Sequence, residues 1–179
     1  MKFDESKNLW FVSDTHFNHQ RLVESCPFHF EEIRKYKTVF EMNEDIITKW
    51  NENIKADDTV IFLGDFMLGI PGDKVEAYFK EKYNALNGNK IFIQGNHDNT
   101  IIKKELVFVY PFVDIEWKGK VIHCQHYPFD KSVLASDEIY VHGHTHSKIP
   151  FENNQNNVSW EAWYRPVNIE ELSPVSKEN

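Results

Sequence analysis

Three short apolar runs, each broken at its end by Gly, Asp, Asn or His, constrain the fold of this chain more than any other feature. Residues 9–13 (LWFVS) run into Asp14, residues 59–63 (TVIFL) into Gly64-Asp65, and residues 90–94 (KIFIQ) into Gly95-Asn96-His97-Asp98. Short runs rich in Val, Ile and Phe, without apolar/polar alternation, are expected for strands covered on both faces. Between the first two, Thr38 is a candidate N-cap and Glu41, three residues on, completes a capping box. Val39, Met42, Ile46, Trp50 and Ile54 then recur at three- and four-residue steps, giving a helix one apolar stripe. Between the second and third runs, Val75, Tyr78, Phe79, Lys82, Ala85 and Leu86 share that period, with Gly88 as the expected stop. The order strand, helix, strand, helix, strand predicts an α/β fold with parallel pairing at its centre.

The second half reads differently. Residues 114–117 and 120–126 flank a Lys118-Gly119 turn and suggest a hairpin. Residues 138–141 and 158–164 read as further strands, the latter with Trp160, Trp163 and Tyr164 as packing residues, and 153–157 (NNQNN) as a polar loop. This half is expected to be strand-rich and antiparallel, so two facing sheets with helices outside would satisfy both halves. A single domain over 1–172 and a flexible tail over 173–179 are expected, in line with the usual domain size. Cys26 and Cys124 have no C-x-x-C spacing, so no disulfide framework is expected. The start MKFDESKNLW has no apolar leader, and no apolar run approaches the roughly 20 residues that span a bilayer. A cytoplasmic location with no membrane partner is the resulting expectation.

The polar clusters carry the chemistry. In order they are Asp14-Thr15-His16, Gly64-Asp65, Gly95-Asn96-His97-Asp98, His126, and Gly143-His144-Thr145-His146. Parallel α/β sheets collect ligands beyond the carboxyl ends of their strands, so one pole of the fold would gather all five. In an extended stretch residues i and i+2 point the same way, so Asp14 and His16 could grip one ion. Asp65 lies between apolar segments, where a carboxylate needs a partner charge or a metal. Gly64, Gly95 and Gly143 permit tight turns that bring backbone close to an ion. Mixed nitrogen and oxygen ligands suit Mn, Fe, Ni, Co or Zn better than Ca or Mg alone.

These motifs, D-x-H, G-D, G-N-H-[DE], H and G-H-x-H, all in this order from Asp14 to His146, resemble those of the calcineurin-like metallophosphoesterase superfamily. The stretches SDTHFNH, LGDF, GNHD and VHGHTH are similar to its small bacterial and phage branch. The resemblance implies a four-layer αββα sandwich of two mixed sheets flanked by helices. It also implies two divalent metal ions, with manganese favoured. Asp14, His16 and His146 would hold the first ion, Asn96, His126 and His144 the second, and Asp65 would bridge them. The implied chemistry is hydrolysis of phosphodiesters or phosphomonoesters by a metal-bridged hydroxide. His97 would face the substrate, stabilise phosphoryl charge and donate to the leaving group. Asp98 would hydrogen-bond His97 and set its tautomer.

His19 and Arg21 are the nearest candidates for contacting a substrate phosphate, with Arg165 a further basic residue and His29 in a loop that could flank the site. His142 and His123 read as structural, and Cys124 as a small buried hydrophobe. The expected partner is a small phosphate ester, possibly a nucleotide. The net charge of -8 argues against tight duplex binding, which needs clustered Lys and Arg. Asp65 is followed by Phe66-Met67-Leu68, without the Asp and Arg that phosphoprotein phosphatases of the superfamily carry after G-D. Trimming of short oligonucleotides is a second reading, and a non-catalytic protein-binding scaffold a third.

Overall fold

The computed structural model describes residues 1, 4–24 and 34–176; Cys26 and His29 lie outside them. The first half contains β1 (Leu9–Val12), α1 (Val39–Asn53), β2 (Thr59–Phe62), α2 (Val75–Ala85), β3 (Asn89–Ile93), α3 (Asn99–Lys103) and β4 (Val109–Tyr110). The second contains β5 (Val113–Trp117), β6 (Lys120–Cys124), β7 (Ile139–His142), β8 (Phe151–Glu152), β9 (Gln155–Asn157), α4 (Trp160–Trp163) and β10 (Val167–Asn168). Two five-stranded sheets result, ordered β10-β1-β2-β3-β4 and β5-β6-β7-β9-β8. Both are mixed. In the first, β1 to β4 run parallel and β10 closes the edge antiparallel.

The expected architecture of two mixed sheets with flanking helices is present. On one face of the first sheet, Val12, Val60, Phe62 and Phe92 pack against Met42, Ile46 and Trp50 of α1 and Phe79 of α2. Its other face meets the second sheet, where Leu9, Phe11, Ile61 and Ile93 pack against Ile115, Ile122, Cys124 and Val141. Burying a side chain of this size contributes about 1.5–3 kcal/mol, so these two layers carry most of the fold. On the second sheet's far side the cover over Tyr140 is a loop with a short 3₁₀ turn at Lys131–Val133; the Tyr140 hydroxyl donates to Val133 O. Among the described residues no helix is long and apolar enough to cross a membrane.

Local signals were met with small shifts. Thr38 accepts from Glu41 N at 3.1 Å, as a cap should, while the Glu41 carboxylate reaches Lys37 N rather than the cap itself. α2 ends at Ala85, short of Gly88. Gly88 (φ +85°) serves the turn into β3, where a Cβ would meet Ile54 at 2.9 Å.

Three expectations fail. Residues 160–163 form a helical turn, not a strand: strand-like pairing ends at Ser13, whose N donates to Val158 O and whose O accepts from Trp160 N, and Tyr164 N then donates to Trp160 O. Its aromatics at 160 and 163 fall on opposite cores, Trp160 under the helices and Trp163 between the sheets. The NNQNN stretch is a hairpin, with Asn153 and Asn154 in the left-handed turn (φ +53° and +61°) and Gln155, Asn156 and Asn157 buried as β9. Beyond Leu172, Ser173 N donates to Asn156 Oδ1 and Val175 N to Glu138 O. Finally, β6, β7 and β9 are mutually parallel. Their connections are a dozen residues or more, the length a parallel crossover needs.

Candidate metal centre

The parallel run of β1 beside β2 continues past both strand ends. Asp14 N bonds Gly64 O, His16 N bonds Asp65 O, and Phe17 N bonds Phe66 O, all at 2.8–3.0 Å. The D-x-H and G-D segments are thereby laced side by side. The stretch is not simply extended, as the i, i+2 argument assumed: Asp14 (+57°), His16 (+49°) and Asp65 (+60°) all have positive φ, as do His144 (+66°) and His146 (+51°). Such backbone costs about 1–3 kcal/mol per residue and persists only where surrounding contacts over-determine it. The glycines beside these residues serve close approach to ligand carboxylates. A Cβ on Gly95 would lie 2.2 Å from Asp65 Oδ1, and one on Gly143 would lie 2.5 Å from Asp14 Oδ2.

Asp65 occupies the middle. Its Oδ1 accepts from His97 N at 2.8 Å, while Oδ2 lies 3.5 Å from His16 Nε2 and 3.6 Å from His126 Nε2. On one side Asp14 Oδ1 faces His16 Nε2 at 3.8 Å and His146 Nε2 at 3.6 Å. On the other, Asn96 Oδ1 lies 2.8 Å from His126 Nε2 and 2.9 Å from His144 Nδ1. All seven candidate ligands thus come together, three either side of Asp65. The donor atoms of Asp14, His16 and His146 lie within 4.8 Å of one another, as do those of Asp14, Asp65 and His126, so the two groups share Asp14.

This donor set fits divalent cations. Asp14 Oδ1 and both nitrogens of His16 are buried without a hydrogen-bond partner, and an unmet buried polar atom costs about 1–3 kcal/mol. Burial first, then the nearby Arg34 charge, holds His16 well below its usual pKa, so its ring is neutral and has a free lone pair.

The outer contacts are as specific as the inner ones. His126 Nδ1 lies 2.7 Å from Leu63 O, which assigns the proton to Nδ1 and frees Nε2. His146 Nδ1 is similarly held by Glu161 Oε1 at 2.9 Å. The same oxygen accepts from Arg34 Nε at 2.7 Å, and Arg34 donates further to Thr15 O and Asp14 O. Arg34 is fully buried. Neither Arg34 nor Glu161 is marked by the sequence as a site residue; Arg34 lies in a charged stretch that reads as surface, and Glu161 between two tryptophans. Asp98 corrects an expectation. Its two oxygens accept from Asp65 N, Gly95 N and Phe66 N at 2.8–3.0 Å, so it lashes two loops together instead of orienting the His97 ring.

Electrostatics couple protons to metal binding. Burial, reinforced by Asp14, pushes the Asp65 carboxyl up to about 8. For His146, burial acts to lower the pKa, but the Glu161 hydrogen bond and charge outweigh it and hold the ring to about 9. Both groups must lose a proton to become ligands, so metal affinity is expected to fall as pH drops below about 9, where His146 takes up its proton, and more steeply below about 8, where Asp65 does, by up to tenfold per unit for each proton displaced. Calorimetric titration with Mn²⁺ in buffers of different ionisation enthalpy would count these protons. A pH-independent affinity between pH 6 and 8 would contradict the assignment.

Of the remaining residues, His19, Arg21 and His97 line a cavity of about 710 Å³ above the cluster, with Thr145 and Leu68. Burial and the Arg34 charge lower His19 to about 4. Arg165 pairs with Glu171 at 2.6 Å and does not line this cavity. His142 is buried with Nδ1 2.8 Å from Gly143 O. His123 sits between Asp114 and Glu138 on the far face of the second sheet, stacked on Tyr140. Cys124 is buried, which raises its thiol pKa.

Comparison with known proteins is consistent with this geometry. The profile of the calcineurin-like phosphoesterases matches residues 7–175. An uncharacterized protein of Methanocaldococcus jannaschii is 33% identical over 172 residues, covering 92% of this chain and 88% of the relative. The gene 66 protein of Mycobacterium phage L5 is 26% identical, covering 92% of each. A protein of unknown function from Aquifex aeolicus has the same fold, with a TM-score of 0.65, 24% identity, and coverage of 92% of this chain and 97% of that one.

Proposed function

The chain belongs to the calcineurin-like phosphoesterase family, and from that premise we propose that it hydrolyses phosphodiesters or phosphomonoesters at a centre of two divalent metal ions. The observation that carries this reading is Asp65 Oδ2, set between His16 Nε2 and His126 Nε2, with Asp14, His16 and His146 clustered on one side and Asn96 Oδ1 beside His126 and His144 on the other. Asp14, His16 and His146 would hold one ion, Asn96, His126 and His144 the other, and Asp65 both. Manganese suits the mixed nitrogen and oxygen donors, and Fe, Ni, Co and Zn are compatible with them. When bound, such ions supply Lewis acidity to water and to phosphoryl oxygens.

The chain's own residues do the rest. Glu161 and Leu63 O hold His146 and His126 in the tautomers that present Nε2. Asp98 fixes the loop that carries Asn96 and His97. His97 is the group offered to substrate: its side chain is 41% exposed, it lines the large cavity, and its backbone is anchored on Asp65. Burial lowers its pKa, and an anionic ester beside it favours the protonated ring, which can then donate to the leaving oxygen. His19 and Arg21 flank the same cavity and would meet the phosphate's remaining oxygens. The substrate is a small ester, a nucleotide among the candidates, and the cytoplasm is the proposed location.

His97→Ala is expected to keep both ions and lose roughly 10²–10⁴-fold in turnover. Metal analysis alongside hydrolysis of a nitrophenyl phosphodiester checks this, and an unchanged rate would remove His97 from its role. The reading as a whole is tested by a panel of nitrophenyl mono- and diesters, cyclic nucleotides and short oligonucleotides with Mn, Ni, Zn and Mg. Turnover that disappears on chelation supports it; no turnover with any metal overturns it.

A further inference from the structure

The ligand cluster opens on two sides. The large cavity carries His19, Arg21 and His97, groups suited to an anion. A second cavity of about 220 Å³ is walled by Tyr127, Pro111, Gln94 and Gln125 and reaches His126; the two cavities meet at Asn96, which lines both. Among the described residues, the ionisable side chains that line the second one are His126, a candidate ligand, and the Tyr127 phenol. It is smaller than the roughly 300–1,000 Å³ that holds a whole small ligand, so it suits one substituent of a substrate rather than the substrate.

Tyr127 gives that cavity its character. Its ring is 49% exposed although it is a large aromatic directly following a buried ligand. The ring packs edge-to-face on His126 at 5.1 Å and tilted on His144 at 4.5 Å between centroids. Its backbone is pinned by Gln125 Nε2, which donates to Tyr127 O at 3.0 Å. The opposite wall is pinned too, with Gln94 N bonded to Tyr110 O, next to Pro111. A ring ordered before binding presents a flat face at little further entropic cost.

Resting on the phosphoesterase reading above, we propose that this second cavity receives a flat, uncharged ring on one substituent of a phosphodiester, a nucleobase being the fitting class, with Tyr127 as its stacking face. A phosphomonoester has one substituent and need not enter it. A diester has two, one for each cavity flanking Asn96. Gln94 and Gln125 line the same cavity; the Gln125 N–H groups are taken by Tyr127 O and Pro128 O, so its Oε1 and the Gln94 amide are the groups that can meet a base edge.

The test compares bis(p-nitrophenyl) phosphate, which carries a second ring, with methyl p-nitrophenyl phosphate, which does not; both release the same phenolate. Tyr127→Ala and Tyr127→Leu are each measured against the wild type, with metal content and unfolding temperature recorded. Both variants are expected to lose about tenfold more kcat/KM on the bis ester than on the methyl ester, chiefly through KM. An equal loss on both esters, or no loss, overturns the inference, as does full preference retained by Tyr127→Leu. If neither ester is hydrolysed with any metal, the phosphoesterase reading falls. The subsite is then judged by saturation-transfer NMR with the bis ester: ring protons saturated by the wild type but not by Tyr127→Ala uphold it, and equal transfer overturns it.

Discussion

Asp65→Asn is expected to abolish normal loading of both proposed metal positions while making the metal-free protein more stable at pH 8. Asparagine tolerates the left-handed backbone at this position (φ +60°) and can still accept from His97 N. What it removes is the charge that both donor groups share. The loss in metal affinity should exceed the roughly 10–100-fold that removal of an outer contact costs. The stability gain follows from proton linkage. In the folded, metal-free chain the Asp65 carboxyl stays protonated up to about pH 8, whereas unfolded it ionises near pH 4. The folded state therefore holds the extra proton between those values, and this group's contribution to stability falls as pH rises through that window. Asparagine has no proton to lose, so the fall is absent. Metal analysis and thermal unfolding in chelator at pH 5 and pH 8 check both halves. A variant that binds two ions normally, or that is less stable than the wild type at pH 8, would contradict the bridging assignment.

The second large effect concerns Arg34, which no motif includes. Arg34→Met is expected to cost about 3–5 kcal/mol, because it takes the guanidinium from the buried Glu161 carboxylate and leaves it only the His146 ring. Arg34 now holds that carboxylate near the bottom of its range: burial acts to raise the Glu161 pKa, but the Arg34 charge and the His146 hydrogen bond bring it to about 2. The substitution also frees the carbonyls of Asp14 and Thr15 from the guanidinium. Arg34→Lys should not restore the wild type, since an ammonium cannot make the three-way fork. The double variant Arg34→Met, Glu161→Leu separates two roles. It removes the whole ion pair, so much of the stability should return, yet His146 loses its orienting carboxylate and metal affinity should stay low. Denaturant unfolding and metal titration on the three variants read these outcomes. Full recovery of metal affinity in the double variant would show that the pair is only structural.

Why Arg34 and Glu161 were illegible is instructive. The stretch around Arg34 (EEIRKYK) carries five charges in seven residues and looks solvated. Glu161 sits between two tryptophans in what alternation reads as a strand. Their partnership spans 127 residues, and no local pattern encodes a contact of that range. The same is true of Asp98. Its place after His97 suggests a side-chain pair, but the backbone N–H groups of Asp65, Phe66 and Gly95 are nearer and use both of its oxygens.

The resemblance of its motifs to those of the calcineurin-like phosphoesterases singled out seven candidate ligands among five polar clusters; by itself the sequence determined the parallel core, the helix starting at Thr38, and the order of those clusters. Those features rest on local rules: strand ends that break at Gly, Asp and His, and apolar residues that recur with the period of one element. Only the tertiary structure decided that the ligands meet. Had β6 and β7 been antiparallel, as the strand-rich second half suggested, His126 and Gly143–His146 would lie at opposite ends of their sheet. The long crossovers make them parallel instead, so both carboxyl ends reach the pole where Asp14, Asp65 and Asn96 already stand. Strand direction depends on which surfaces bury together across the whole chain, and that is a property no single segment carries.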